Sequence, residues 1–226
     1  MTTIGVLSYN VLSLRRGTDR VAAVIRAIDP DVACIQEAPR FLFWRRRCRA
    51  LARETGLRIV TGGRPAGAVL LLARPGLRVV AKRDVKLPWH PPLHRRGLAI
   101  GVFDVGGTEV AVASTHLSLD DAERLQQVDL ALAHLARLGR PAILAGDVNE
   151  TPDDPAWRVL AGAMADAYAV APEGDGATYS SEAPRRRLDA VFVDRRLEVA
   201  ACRVPAVGGL AEASDHLPVL AVIRTG

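Results

Sequence analysis

The chain has 226 residues, 49% hydrophobic and 24% charged, a balance that excludes a disordered, collagen-like or coiled-coil protein. Thirty Lys+Arg against 25 Asp+Glu leave a net charge of +5, nearly all of it carried by arginine, since only Lys82 and Lys86 are lysines. That excess suits phosphate recognition through the planar guanidinium fork, and it suits equally a soluble enzyme that never meets nucleic acid.

Apolar runs such as Ala66 to Ala73 fall far short of the roughly 20 residues of a bilayer span. The N-terminus lacks the basic start and long apolar stretch of a secretory signal. No integral membrane association, a cytoplasmic location and a monomer are therefore expected. Cys34, Cys48 and Cys202 are odd in number and show no CxxC spacing, which reads as buried small hydrophobes rather than a disulfide framework.

Ile4 to Val11 alternates and is rich in Ile, Val and Tyr, as a strand does, and carries Asn10 at its end. Thr18 is placed to cap a helix with Val21, Val24, Ile25 and Ile28 on one face, stopped by Asp29-Pro30. Val32 to Gln36 is a short apolar strand followed at once by Glu37. Pro39 to Thr55 reads as an arginine-rich helix closed by Gly56. Strands are then expected at Arg58 to Thr61, Gly67 to Ala73, Leu77 to Val85, Leu98 to Val105 and Glu109 to Leu117, with Gly106-Gly107 as a hairpin turn.

Asp120 to Leu138 is the longest helix, with Leu125, Val128, Leu132 and Leu135 at helical spacing. Ala142 to Ala145 is a buried strand running into Gly146-Asp147, Pro152 to Leu160 a short helix, and Leu188 to Val193 and Leu217 to Ile223 the last strands. Pro172 to Pro184 is rich in Gly, Pro and Ser and reads as a loop. No repeat or linker divides the chain, so one domain over 1–226 is expected, and runs of adjacent strands broken by single helices argue for mixed sheets.

Polar groups stand at the ends of apolar strands in six places: Asn10, Glu37, His116, Asp147 with Asn149, Asp189, and Asp215 with His216. Strand ends on one sheet edge converge in space, and rigid elements bearing polar ends are a common way to build a catalytic site. Taken singly each has a bland reading: an Asx turn at Asp147 to Asn149, a pairing of Asp189 with Arg187, a cap at Asp215.

Together, Ser8-Tyr9-Asn10, Ile35-Gln36-Glu37, Ser114-Thr115-His116-Leu117, Gly146-Asp147-Val148-Asn149, Arg187-Leu188-Asp189 and Ser214-Asp215-His216-Leu217-Pro218 form an ordered series. The series resembles the endonuclease/exonuclease/phosphatase superfamily, over nearly the whole chain from Ile4 to Ile223. The resemblance implies an α+β fold, a four-layer α/β/β/α sandwich of two mixed β-sheets flanked by helices. It also implies hydrolysis of phosphate esters with a divalent metal, Mg2+ or Mn2+.

By that resemblance Glu37 is the principal metal ligand, Asn10 helps to hold the site, and Asp215 reaches the same or a second metal position. A hard cation with one or two carboxylates and the rest water and phosphate fits such a set. His216 supplies a base oriented by Asp189, while Asp147 and Asn149 position or activate the attacking water, and the choice of Asp147 or His216 as proton acceptor stays open. His116 resembles the histidine that donates to a phosphate oxygen or assists the leaving group. Two departures stand out: Ala190 replaces an aromatic residue after Asp189, and His94-Arg95-Arg96-Gly97 takes the place of an acidic partner for the histidine. Arg96 reads either as a phosphate contact or, with Arg95, as a solvated strand edge.

The expected substrate is a small or lipid-derived phosphate ester. Nucleic acid is the alternative, motivated by Arg45 to Arg47 and Arg185 to Arg187 and weighed down by an aromatic content of 4%. Trp44 and Trp89 read as core or loop anchors, and substrate choice is assigned to the loops at Arg40 to Trp44, Pro88 to Arg96 and Glu173 to Arg187.

Overall fold

The computed structural model describes residues 1–225. Its elements in chain order begin with β1 (Thr2–Asn10), α1 (Thr18–Ile28), β2 (Val32–Gln36), α2 (Trp44–Thr55), β3 (Arg58–Gly63), β4 (Val69–Ala73), β5 (Arg78–Lys86), β6 (Gly97–Val105) and β7 (Thr108–His116). They continue with α3 (Asp121–Ala136), β8 (Ala142–Asp147), α4 (Pro155–Ala163), β9 (Ala165–Asp166), α5 (Ala167–Val170), β10 (Pro172–Glu173), β11 (Asp189–Val193), β12 (Glu198–Arg203), α6 (Leu210–Ala213) and β13 (Val219–Thr225).

Two mixed sheets result, a seven-stranded one in the order β10-β12-β13-β1-β2-β4-β3 and a six-stranded one in the order β5-β6-β7-β8-β11-β9. Strand periodicity explains why they stack. Ile4 and Val6 of β1 face a core shared with Leu71, Phe103, Val112 and Val191, between the sheets. Leu7 and Tyr9, on the opposite face of the same strand, pack under α1 and α2 against Val21, Ile25 and Leu51. The second sheet repeats the pattern, with Leu144 and Phe192 beneath Val128, Leu135, Trp157 and Leu160 of α3 and α4. Trp157 meets Phe192 edge-on with ring centroids 5.4 Å apart. Both sheets are thus covered on both faces, which is the four-layer sandwich the resemblance implies. Among the described residues, no helix is long and apolar enough to cross a membrane.

Several boundaries differ from the sequence expectation, each for a local reason. The helix expected from Pro39 begins only at Trp44, because Phe43 adopts a left-handed conformation (φ 58°, ψ 21°) that no α-helix interior can hold. Thr18 is the first helical residue of α1 rather than its cap, a place taken by Gly17 without a side-chain hydrogen bond. The helix expected from Pro152 starts at Pro155, since Thr151 donates through its backbone N (2.8 Å) and Oγ1 (2.7 Å) to Asp154 Oδ2 and closes a turn first. β12 was not expected; it pairs with β13 across a bulge between Val199 and Ala201, which blurs its alternation. The predicted loop 172–184 holds β10 at its start. The Gly106-Gly107 turn is present, with φ of 62° and 90°.

Candidate active site

Strand direction brings the six polar positions to one edge. β1 and β2 run parallel and end at Asn10 and Gln36, while β13, antiparallel to β1, begins just after Asp215-His216. In the other sheet β7 and β8 run parallel and pair His116 with Asp147, and antiparallel β11 pairs Asp189 with Asp147. His116, Asp147 and Asp189 therefore form one cross-strand row. Gly146 permits that row, because a Cβ there would lie 2.2 Å from the Thr115 carbonyl oxygen.

The chemistry centres on Asp147, which is 1% exposed. Its Oδ2 accepts from Asn10 Nδ2 (3.0 Å), with His116 Nε2 at 3.4 Å and His216 Nε2 at 3.8 Å. Its Oδ1 accepts from the Asn149 backbone N (3.0 Å), the Asx turn expected there, while Asn149 Nδ2 donates to the Leu117 carbonyl (2.9 Å). His216 Nδ1 donates to Asp189 Oδ2 at 2.8 Å. A carboxylate can only accept, so that bond commits Nδ1 and leaves Nε2 turned toward Asp147. The Tyr179 ring lies against the His216 imidazole, centroids 4.9 Å apart. Ser214 Oγ reaches the Asn10 carbonyl (2.7 Å), tying the loop before β13 to the end of β1.

Electrostatics follow from burial and crowding. Desolvation raises the Asp147 carboxyl to about 7, helped by the Asp189 charge and opposed by His216 and the Asn10 hydrogen bond. Burial works against the charged form of His216, yet the charge and hydrogen bond of Asp189, with Asp147 and Asp215, lift it to about 9. Burial, seconded by Arg96 and His216, holds His116 well below the ordinary histidine range, so it is neutral.

A cavity of about 480 Å³ opens on this row and is lined by Glu37, Arg96, His116, Asp147, Asn149, Asp215 and His216. Asn10 and Asp189, both 1% exposed, stand behind its wall. Glu37 takes a left-handed backbone conformation (φ 51°) immediately after β2. Of the two readings of Arg96, the structure sets aside the solvated edge: Arg96 is 7% exposed and its buried Nε has no protein partner, whereas Arg95 is exposed over the Trp89 ring. The pairing of Asp189 with Arg187 does not occur, since Arg187 forks onto Asp166 at 2.7 and 2.8 Å.

The donor set suits a hard divalent cation. Asp147, Asp189 and His216 offer atoms within 4.8 Å of one another, a group able to hold a metal ion, and Asp189 Oδ1 is buried without a partner. Glu37 and Asp215 add carboxylates on the wetter side of the same cavity. Asn10 Nδ2 donates to Asp147 and its Oδ1 accepts from the Leu12 backbone N (3.1 Å), which leaves Oδ1 a second lone pair.

Several lining residues were not singled out as site residues in the sequence, among them Arg40, His94, Leu119 and Tyr179. Arg40 Nη2 donates to His94 Nδ1 at 3.1 Å. Arg40, His94 and Tyr179 fall in the loops to which the sequence assigned substrate choice, whereas Leu119 lies in a loop with no signal of its own.

A profile of the Endonuclease/Exonuclease/phosphatase family matches residues 7–216. No curated protein matches the sequence. Among solved structures, an endonuclease/exonuclease/phosphatase from Bacteroides vulgatus superposes with a TM-score of 0.84 at 22% identity, covering 100% of both chains. The mannosyl-6-phosphatase of Bacteroides thetaiotaomicron gives 0.83 at 21% identity, covering 98% of this chain and all of that one. The human nocturnin catalytic domain, bound to a sulfate anion, gives 0.79 at 18%, covering 99% and 93%. At these identities the likeness shows a shared fold.

Proposed function

We propose, from the premise that this chain belongs to the endonuclease/exonuclease/phosphatase family, that it is a divalent-metal-dependent hydrolase of a small or lipid-derived phosphate ester. Members of that family are hydrolases acting on phosphate esters. The observation that carries the reading is the Asp189–His216–Asp147 arrangement at the wall of a cavity that also holds Glu37, Asp215 and Arg96.

Glu37 and Asp215 would hold Mg2+, or Mn2+ in its place. Bound there, the ion supplies charge neutralisation on the phosphoryl oxygens and the leaving oxygen. The chain's own residues do the rest. Asp189 fixes the His216 ring, so that Nε2 and Asp147 Oδ2 flank the position of the attacking water and take up its proton as a coupled pair. Asn10 and the Asn149 backbone N hold Asp147 in place. Arg96, with unspent donors, binds a phosphate oxygen, and His116 donates from its neutral ring toward a phosphoryl or leaving oxygen. All these groups belong to one catalytic domain.

The test is an assay of purified protein on a generic phosphodiester, a generic phosphomonoester and plasmid DNA, with magnesium, manganese or a chelator. Turnover of a small ester that needs the metal and disappears in His216→Ala is the expected result. Hydrolysis unaffected by chelator, or nicking of DNA alone, would overturn the reading.

A further inference from the structure

A second cavity, of about 560 Å³, adjoins the catalytic one and shares Arg40, Phe41, Gly67, Ala68 and His94 with it. The second cavity is edged by a ridge of three consecutive large apolar side chains turned to solvent, of which Phe41 also lines the catalytic one: Phe41 is 74% exposed, Leu42 79% and Phe43 67%. Across the catalytic mouth Leu119 is 69% exposed. Isolated exposed hydrophobes are ordinary, but three in a row at the rim of an active site form a patch.

The surroundings of the ridge are strongly cationic. Residues 38–53 contain six arginines and no acid. Arg45, Arg46 and Arg47 occupy the first turn of α2, at the positive end of its dipole, and no acidic residue or side-chain cap relieves them there. Phe43, just before the helix, holds an unfavourable left-handed backbone. The crowded arginines and the exposed apolar side chains both work against the stability of the isolated fold, and both become favourable against an apolar layer with an anionic face.

We infer that the Phe41–Phe43 ridge and the arginines of α2 dock the enzyme on an anionic phospholipid surface, presenting the catalytic mouth to it. A phospholipid bilayer answers both halves of the patch, with acyl chains for Phe41, Leu42 and Phe43 and headgroup phosphates for Arg45 and Arg46. Single-stranded nucleic acid answers it less well: Phe41 and Phe43 offer it two exposed rings, but the larger Trp44 and Trp89 rings nearby are already taken by arginines. The Arg45 guanidinium lies 4.5 Å over the Trp44 ring, which also packs against Gly63, and Arg95 lies 4.1 Å over Trp89. Leu42, the most exposed of the three, offers no stacking face.

The inference does not need the catalytic reading to hold, since docking is measured without turnover. Flotation of the protein with vesicles of phosphatidylcholine alone, and of phosphatidylcholine mixed with phosphatidylglycerol, reads it directly, in the native sequence and in His216→Ala alike. Binding to the mixed vesicles is expected. It should weaken about tenfold or more in Leu42→Ser/Phe43→Asn, and in Arg45→Gln/Arg46→Gln, with unchanged melting temperatures. Only the arginine-dependent part should be lost at high salt. No vesicle binding, or binding indifferent to Leu42 and Phe43, would overturn it. So would a fluorescently labelled single-stranded oligonucleotide bound through these residues more tightly than vesicles, or a sedimentation-detected dimer that the Leu42→Ser/Phe43→Asn variant dissolves.

Discussion

The wall of the catalytic cavity and the ridge at its rim are built by opposite rules. On the wall, Asp147, Asp189, His116 and His216 are buried, and Asp147 alone is approached by four nitrogens. On the rim, Phe41, Leu42 and Phe43 are exposed and follow no helix or strand pattern. Chemistry that moves a proton needs groups held within tenths of an ångström, so it sits on strands locked by two cores. Recognition of an extended surface needs reach and exposure, and it sits on a loop.

The contrast breaks most sharply at His216. His216→Ala should lower turnover by about 10²–10⁴-fold while the protein still gains thermal stability from magnesium; an unchanged rate would remove His216 from the proton-handling pair. Asp189→Asn, which keeps the shape of the ring's partner but not its charge, should cost about tenfold to a hundredfold in kcat, less than His216→Ala. An equal loss in the two variants would mean that Asp189 does more than orient.

Stability tests separate the regions further. Gly146→Ala drives a Cβ against the Thr115 carbonyl and should destabilise by about 1–3 kcal/mol, read by denaturant unfolding, with activity falling as the His116–Asp147–Asp189 row shifts. With chelator present, the raised value of His216 sets a pH signature. Its ion pair contributes fully below the ordinary histidine value and is lost as pH rises through about 9. The wild-type melting temperature should therefore fall by a few degrees more than that of His216→Asn between about pH 8 and pH 10, a window that brackets the raised His216 value and lies above the raised Asp147 carboxyl. At the bottom of the scale, Leu42→Ser should change folding stability by no more than about 0.5 kcal/mol in calorimetry. A larger loss would show that the ridge supports the fold rather than a surface.

Much of this was legible in the chain itself. Short apolar runs with a polar residue at one end marked β1, β2, β7, β8 and β11, and the ordered series from Asn10 to His216 marked the family and the edge where the site lies. β12 escaped because its bulge interrupts the alternation, and the start of α2 because one residue, Phe43, leaves the right-handed region without any Gly or Pro to announce it. The buried Glu123, Arg124 and Gln127 of α3 were equally hidden. Arg124 is neutralised by Glu150 (2.8 Å), whose other oxygen accepts from the Ala156 and Trp157 backbone N, so a polar stripe is packed where the apolar spacing alone predicts solvent.

The sequence by itself determined most of the strands and helices, the residue types of the site and their order, because periodicity and strand-end chemistry are local properties of a chain, while the four-layer sandwich was legible only through the family resemblance. Only the tertiary structure decided who meets whom. Asn10 bonds Asp147 across 137 positions, Arg187 turns to Asp166 instead of Asp189, Arg96 goes inward while Arg95 stays out, and Phe41 comes to line the catalytic cavity with Leu42 and Phe43 along the one beside it. Those outcomes depend on sheet register and on the stacking of two sheets, which are set by the summed burial of three cores and not by any short stretch of residues.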